Sequence, residues 1–209
     1  MTTSAPVPAL DRDLIARLRF DVIAASWTTD TLETLLSDGA LSALMRDSRL
    51  PALVELAGVT DPAATLTRFF VLGQPERASA LDASLPTLGA AGLETLGLAA
   101  TIDEAEATSA LVVTRGCGKF ALKREDAQAG EGASSPKTPT LPTMHDPDEE
   151  APELEVESDP WMSALYDLRP HAATLPGGDR DWWVTSDPGE MRTGKPLADD
   201  HVMGVGGAT

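Results

Sequence analysis

The chain has a single cysteine, Cys117, which excludes an internal disulfide framework. Histidine is nearly as scarce. The three that occur are widely spaced, so there is no recognisable zinc-ligand cluster. No apolar run approaches the roughly 20 residues that a bilayer crossing needs, which excludes a membrane span. The opening MTTSAPVPALDRD lacks the basic stretch and apolar core of a signal peptide, which makes the cytoplasm the default location. Basic residues are outnumbered: 16 Lys and Arg stand against 33 Asp and Glu, a formal charge of −17. Phosphate backbones and anionic membrane surfaces would repel such a chain unless its few cations shared one patch, so nucleic acid is a weak expectation. What is present is a chain of 209 residues, 42% of them hydrophobic, enough for one or two domains.

The first hundred residues are rich in Leu and Ala and are interrupted at short intervals by Asp, Ser, Pro and Gly, which predicts consecutive short helices. Leu10, Leu14, Ile15, Leu18 and Val22 recur at helical spacing, with Asp11, Arg12, Arg17 and Asp21 assigned to the opposite face. A second helix is predicted to start at Asp30, with Glu33 three places on as in a capping box. A third carries Leu41, Leu44 and Met45, and a fourth follows Pro51 and ends at Gly58. Asp61-Pro62 combines an N-cap with proline at the first helical position, ahead of Leu66, Phe69, Phe70 and Leu72, with Gly73 as the stop. Pro75 opens the next helix, and Pro86 separates it from a segment ending at Gly97. Leu111, Val112 and Val113 then suggest a strand. Short helices followed by strands predict a winged-helix-like unit over residues 9–121, in a chain that is mainly α with a small β part.

From 122 to 160 the character changes. Three basic residues face eleven acidic ones, and Phe, Tyr and Trp are absent. Such a composition buries too little apolar surface to offset the roughly 1–2 kcal/mol per residue lost on ordering backbone, and it predicts a disordered acidic insertion. Residues 161–209 resume with WMSALYDLRPHAA and DRDWWVTSDPGE, each short, aromatic and bounded by Pro or Gly, and these predict strands.

Chemistry-bearing motifs are few. Cys117 lies between Gly116 and Gly118, with Arg115 and Lys119 close by to favour a thiolate, but no histidine is near in sequence to act as its base. A small, inert thiol is the expectation. Gly204, Gly206 and Gly207 supply the freedom of a phosphate loop, yet fit neither the GxGxxG nor the Walker pattern. His171 and His201 have no metal-binding companions, Asp199 and Asp200 alternate direction if extended and have no assignable partner groups, and the run Asp146 to Glu150 reads as solvated chain. Trp182 and Trp183, adjacent on a strand, must point to opposite faces, so one packs inward and the other meets solvent or a partner. With Met203 and Val205 they form the candidate domain interface. No catalytic, cofactor-binding or metal-ligating residue is assigned.

The words TRFFVLGQP, LDASLPTLGAAGLETLGLAAT, SALYDLRPHAA, DWWVTSDPGE and LADDHVMGVGGAT together resemble the N-terminal part of bacterial two-domain methyltransferases of the HemK-like or release-factor-methyltransferase-like kind. The resemblance covers nearly the whole chain apart from the acidic insertion. It implies a helical, winged-helix-like domain placed before a Rossmann-like catalytic domain that uses S-adenosylmethionine. That cofactor is held in the family by a DLGTGCG-type turn, and an NPPY-type motif grips the planar group to be methylated. Neither motif occurs here, and Gly116 to Gly118 lack the DLGTG lead-in. The resemblance therefore implies a substrate-positioning portion, an N-terminal fragment that binds no cofactor by itself. Its expected partners are a catalytic methyltransferase domain or a protein substrate, with self-association through an exposed aromatic strand as a consequence. The alternative is a stand-alone, non-catalytic interaction module with an acidic tether.

Overall fold

The computed structural model describes residues 7–46, 48–116, 159–193, 196–197 and 201–202. Most of the acidic insertion, together with Cys117, Gly118, Asp199, Asp200, Met203, Val205 and the glycines near the end, lies outside them. The architecture is mainly α with a small β part.

Helix α1 (Arg12–Ala24) starts where Asp11 accepts hydrogen bonds from the backbone of Asp13 and Leu14 at 2.9 and 3.1 Å. Leu14, Leu18 and Val22 face the core, whereas Leu10 and Ile15 of the expected stripe stay 87% and 40% exposed. Asp21, assigned from sequence to the polar face, is fully buried. It falls seven residues after Leu14, and that spacing returns a helical position to the same face. Helix α2 (Thr29–Leu35) is capped by Thr28 and not by Asp30: Thr28 is extended, and its hydroxyl accepts from the Thr31 N–H at 3.2 Å. Asp30 sits inside the first turn, where its charge suits the helix N-terminus. Helices α3 (Asp38–Leu44) and α4 (Leu50–Glu55) follow, joined by Ser37, whose hydroxyl and N–H both donate to the Glu55 carboxylate.

Asp61 and Pro62 open α5 (Pro62–Leu66) as their types predict. The chain then widens into a π-helical turn (Thr67–Val71), closed by the Leu72 N–H donating to the Thr67 carbonyl at 3.0 Å. Trp27 lies fully buried against this turn, its indole N–H donating to the Thr67 hydroxyl at 3.0 Å, with its ring 5.9 Å from that of Phe70. Phe69 and Phe70 stack edge to face at 4.9 Å. Gly73 turns the chain out of the helix with φ near +65°.

Strand β1 (Glu76–Arg77), helices α6 (Ala78–Ser84) and α7 (Gly89–Thr95), and strand β2 (Ala99–Ile102) come next. The third strand of this sheet, β3 (Trp161–Ala164), is supplied from beyond the acidic segment and lies in the middle, antiparallel to both neighbours, in the order β1-β3-β2. Helix, strand, helix, helix, strand and a final central strand make the winged-helix arrangement. One sequence expectation is corrected here. Leu111 to Val113 belong to helix α8 (Glu104–Gly116), because Asp103 accepts from the Glu106 N–H at 2.7 Å and Glu104 and Glu106 sit in the first turn, a start signal that outweighs β-branched side chains. The described residues up to 116 and those from 159 onward belong to one compact unit.

The remaining strands, β4 (Asp167–Leu175) and β5 (Gly178–Ser186), form an antiparallel ribbon with Asp167 opposite Ser186 and Leu175 opposite Gly178. A short helix, α9 (Glu190–Thr193), returns Arg192 to the core. Its guanidinium donates to the carbonyls of Ala164, Tyr166 at 3.2 Å and Phe70 at 3.3 Å, and to the Asp167 carboxylate at 2.5 Å. Burial lowers the Arg192 pKa, and the Asp167 charge opposes that shift. A Cβ on Gly73 would lie 2.7 Å from Arg192 Nε, so the glycine that ends the π-helical turn also makes room for this clasp.

Candidate functional site

The sequence placed Trp182 and Trp183 on a strand with opposed side chains, and β5 bears this out. Trp183 lies opposite Pro170 and packs against the core, its indole N–H donating to the Trp27 carbonyl at 2.9 Å. Trp182 lies opposite His171 and stays 41% exposed. Of the candidate interface, therefore, Trp183 is taken up inside this unit and Trp182 is left outside. Met203 and Val205 lie outside the described residues.

Between the ribbon and α1 runs an open groove of about 850 Å³. Ile15, Leu18, Val22 and Ile23 of α1 form one wall, with Leu96 and Leu98 from the end of α7 and the following turn. The residues from Pro8 to Leu10, tied down by the Ala9 N–H donating to the Leu96 carbonyl at 2.9 Å, close one end. The opposite wall is β5, from Arg180 to Trp183 and Thr185.

Residues of both faces of β5 line this groove, together with Leu168 of β4, which lies opposite Thr185. Among the described residues β5 pairs as a strand with β4 alone, and just past its end the Asp187 N–H donates to the Val202 carbonyl at 3.0 Å. Pro170 has no N–H, so the Pro170–Trp183 pair is a non-hydrogen-bonded one, and Trp183 turns its N–H and C=O away from β4. By alternation Asp181 and Thr185 do the same. Three residues thus present backbone donors and acceptors to the groove. The Arg19 and Arg180 guanidinium groups line it too, and neither has a carboxylate partner among the described residues, in a chain of net charge −17. Asp181 is the acidic residue in the lining.

Three titratable groups of this part of the chain have particular surroundings. His171, across from Trp182, has its pKa lowered by burial and then by the Arg169 charge. His201 Nδ1 is 4.0 Å from Asp187 Oδ2. Burial, with a smaller contribution from Asp187, raises the Tyr166 phenol pKa. No group of three or more His, Cys, Asp or Glu that could hold a metal ion occurs among the described residues. No helix among them is long and apolar enough to cross a membrane.

Sequence reasoning missed two features. Asp21 is buried beneath the turn between α6 and α7 and accepts from Leu88 N at 2.8 Å, Thr87 N at 3.1 Å and the Thr87 hydroxyl at 2.8 Å. The seven-residue step from Leu14 was the signal available. The free edge of β5 had none, because strand order follows from tertiary packing.

Residues 24–111, from the end of α1 into α8, match the sequence model of a domain of unknown function, DUF7059. Central strand β3 and the ribbon lie beyond that match. No curated protein and no solved structure matches the chain.

Proposed function

We propose that this chain is the substrate-positioning portion of a class I S-adenosylmethionine-dependent methyltransferase, acting in the cytoplasm with a Rossmann-like catalytic domain whose cofactor and NPPY-type motifs the given sequence does not contain. The observation that carries the reading is the surface of its winged-helix arrangement. Helices α6 and α7, where a DNA-binding relative would place its groove-reading side chains, carry Asp82 and Glu94 and no Lys or Arg. Phosphate contacts need cations there. A winged helix with an anionic reading face fits a protein partner, and the words shared with HemK-like enzymes supply the methyltransferase context. Exposed Trp182 is the contact this reading assigns to the catalytic domain, as a large ring suited to anchoring an interface.

Two measurements test it. Calorimetric titration of the chain with S-adenosylmethionine gives no saturable heat, because the given sequence carries no DLGTGCG-type turn to align backbone donors with the cofactor. Sedimentation with a class I catalytic domain from the same genome gives a complex that Trp182→Ala weakens. Cofactor binding by the chain alone, or no complex, refutes the proposal. The alternative, a stand-alone interaction module, predicts no complex with any such domain.

A further inference from the structure

We infer that the groove along β5 captures an extended, acidic and apolar segment of a partner protein by adding it as a third strand to the β4–β5 ribbon. The inference goes beyond the methyltransferase reading and does not depend on it.

Three independent features of the groove converge on that occupant. The first is the unpaired strand edge. Asp181, Trp183 and Thr185 turn their N–H and C=O groups outward at every second residue, the repeat with which an antiparallel strand docks. The second is the facing wall. Ile15 and Ile23 of α1 are 40% and 54% exposed, and with Leu18 and Val22 they offer an apolar floor to alternate side chains of an added strand. The third is charge. Arg19 on α1 and Arg180 on β5 lie on the two sides of the groove without carboxylate partners among the described residues. A segment carrying carboxylates beside bulky apolar groups satisfies both at once. A fatty acid fills the apolar wall and meets one guanidinium, but leaves the strand edge unpaired.

The test is fluorescence anisotropy of the chain with a labelled synthetic peptide in which Glu alternates with Leu and Phe. Three companions accompany it: the same peptide with Lys for Glu, the same peptide N-methylated at every second residue, and decanoate as competitor. Saturable binding is expected for the Glu peptide. The Lys peptide should bind about tenfold more weakly or worse, as expected for reversed charge at a complementary rim. The N-methylated peptide should not bind, because it cannot donate to the edge. Arg19→Glu combined with Arg180→Glu should weaken the Glu peptide about tenfold with the melting temperature unchanged, as both side chains are on the surface. Decanoate should displace the peptide only partially. The inference is overturned if the Glu peptide does not bind, or if the N-methylated or Lys peptide binds equally well. It is equally overturned if the double charge reversal has no effect. Full displacement by decanoate would make the groove a lipid site. A concentration-dependent dimer that excludes the peptide would make it a self-association edge.

Discussion

Asp21→Ala separates a carboxylate that organises the fold from one that merely decorates a helix. In the native chain the carboxylate is fully buried, faces no cation at ion-pair distance among the described residues, and takes hydrogen bonds from Thr87 N, the Thr87 hydroxyl and Leu88 N. These tie α1 to the turn that launches α7. A hydrogen bond to a charged group contributes about 1.5–3 kcal/mol, and a buried donor left unpaired costs about 1–3 kcal/mol. Thr87 is itself exposed and its groups can return to water, whereas Leu88 is buried and its N–H is left without an acceptor. The expected loss is therefore about 3 kcal/mol, less than the sum of three bonds. For a unit of this size that lowers the melting temperature by about 6–12 °C. Asp21→Asn keeps the volume and one carbonyl acceptor but turns an NH2 toward other donors, and should lose about half as much. Asp30→Ala, an exposed carboxylate on α2, should fall within about 0.5 kcal/mol of wild type. Urea denaturation followed by circular dichroism measures all three. If Asp21→Ala is no more destabilised than Asp30→Ala, the carboxylate does not hold the α6–α7 turn and the account of α1 packing is wrong.

Other expectations follow from the clasp and the ribbon. Arg192→Met removes the more buried of the two guanidinium partners of Asp167, leaving Arg169 at 3.3 Å, and should cost about 3 kcal/mol, the low end for breaking a buried pair, read from the same denaturation curves. Gly73→Ala combines a left-handed backbone position with a Cβ at 2.7 Å from Arg192 Nε. Its cost should be about 1–2 kcal/mol for the backbone alone, and larger where Arg192 is present. A double-mutant cycle with Arg192→Ala should show coupling of about 1 kcal/mol, and strict additivity would deny the clasp. His171 has a lowered pKa in the fold, so the unfolded chain takes up the proton first as pH falls. Its contribution to stability is present above the ordinary imidazole range and is lost as pH drops through that range to the lowered value. Titration of its imidazole resonances should place the midpoint below that of a free histidine, and a midpoint above it would contradict the surroundings described.

Much of the helical half was legible because its punctuation is local. Asp61 with Pro62, and the stops at Gly58, Gly73 and Gly97, act within a few residues, and each does in the fold what its side chain dictates, whereas Asp11, assigned from sequence to the polar face of α1, is its cap. The misreadings share a cause. Thr28 displaced Asp30 as a cap because both types suit the position and only backbone direction decides between them. Leu111 to Val113 look like a strand in isolation, yet the start signal from Asp103 to Glu106 carries the helix through them. That β3 lies between β1 and β2 was invisible, since the pairing joins Ala99–Ile102 to Trp161–Ala164 across the acidic segment. At the candidate site, the alternation of Trp182 and Trp183 could be read directly from the pleat. The groove could not, because its walls come from α1, from the turn after α7 and from β5.

The central proposal is that this chain serves methyl transfer without holding the cofactor itself. Its most direct measurement is transfer of a radiolabelled methyl group from S-adenosylmethionine to protein in a cell extract, with a class I catalytic domain from the same genome supplied in trans. The account predicts little transfer with either component alone, transfer with both together, and a reduced rate when the chain carries Trp182→Ala. Equal transfer by the catalytic domain with and without the chain would contradict it.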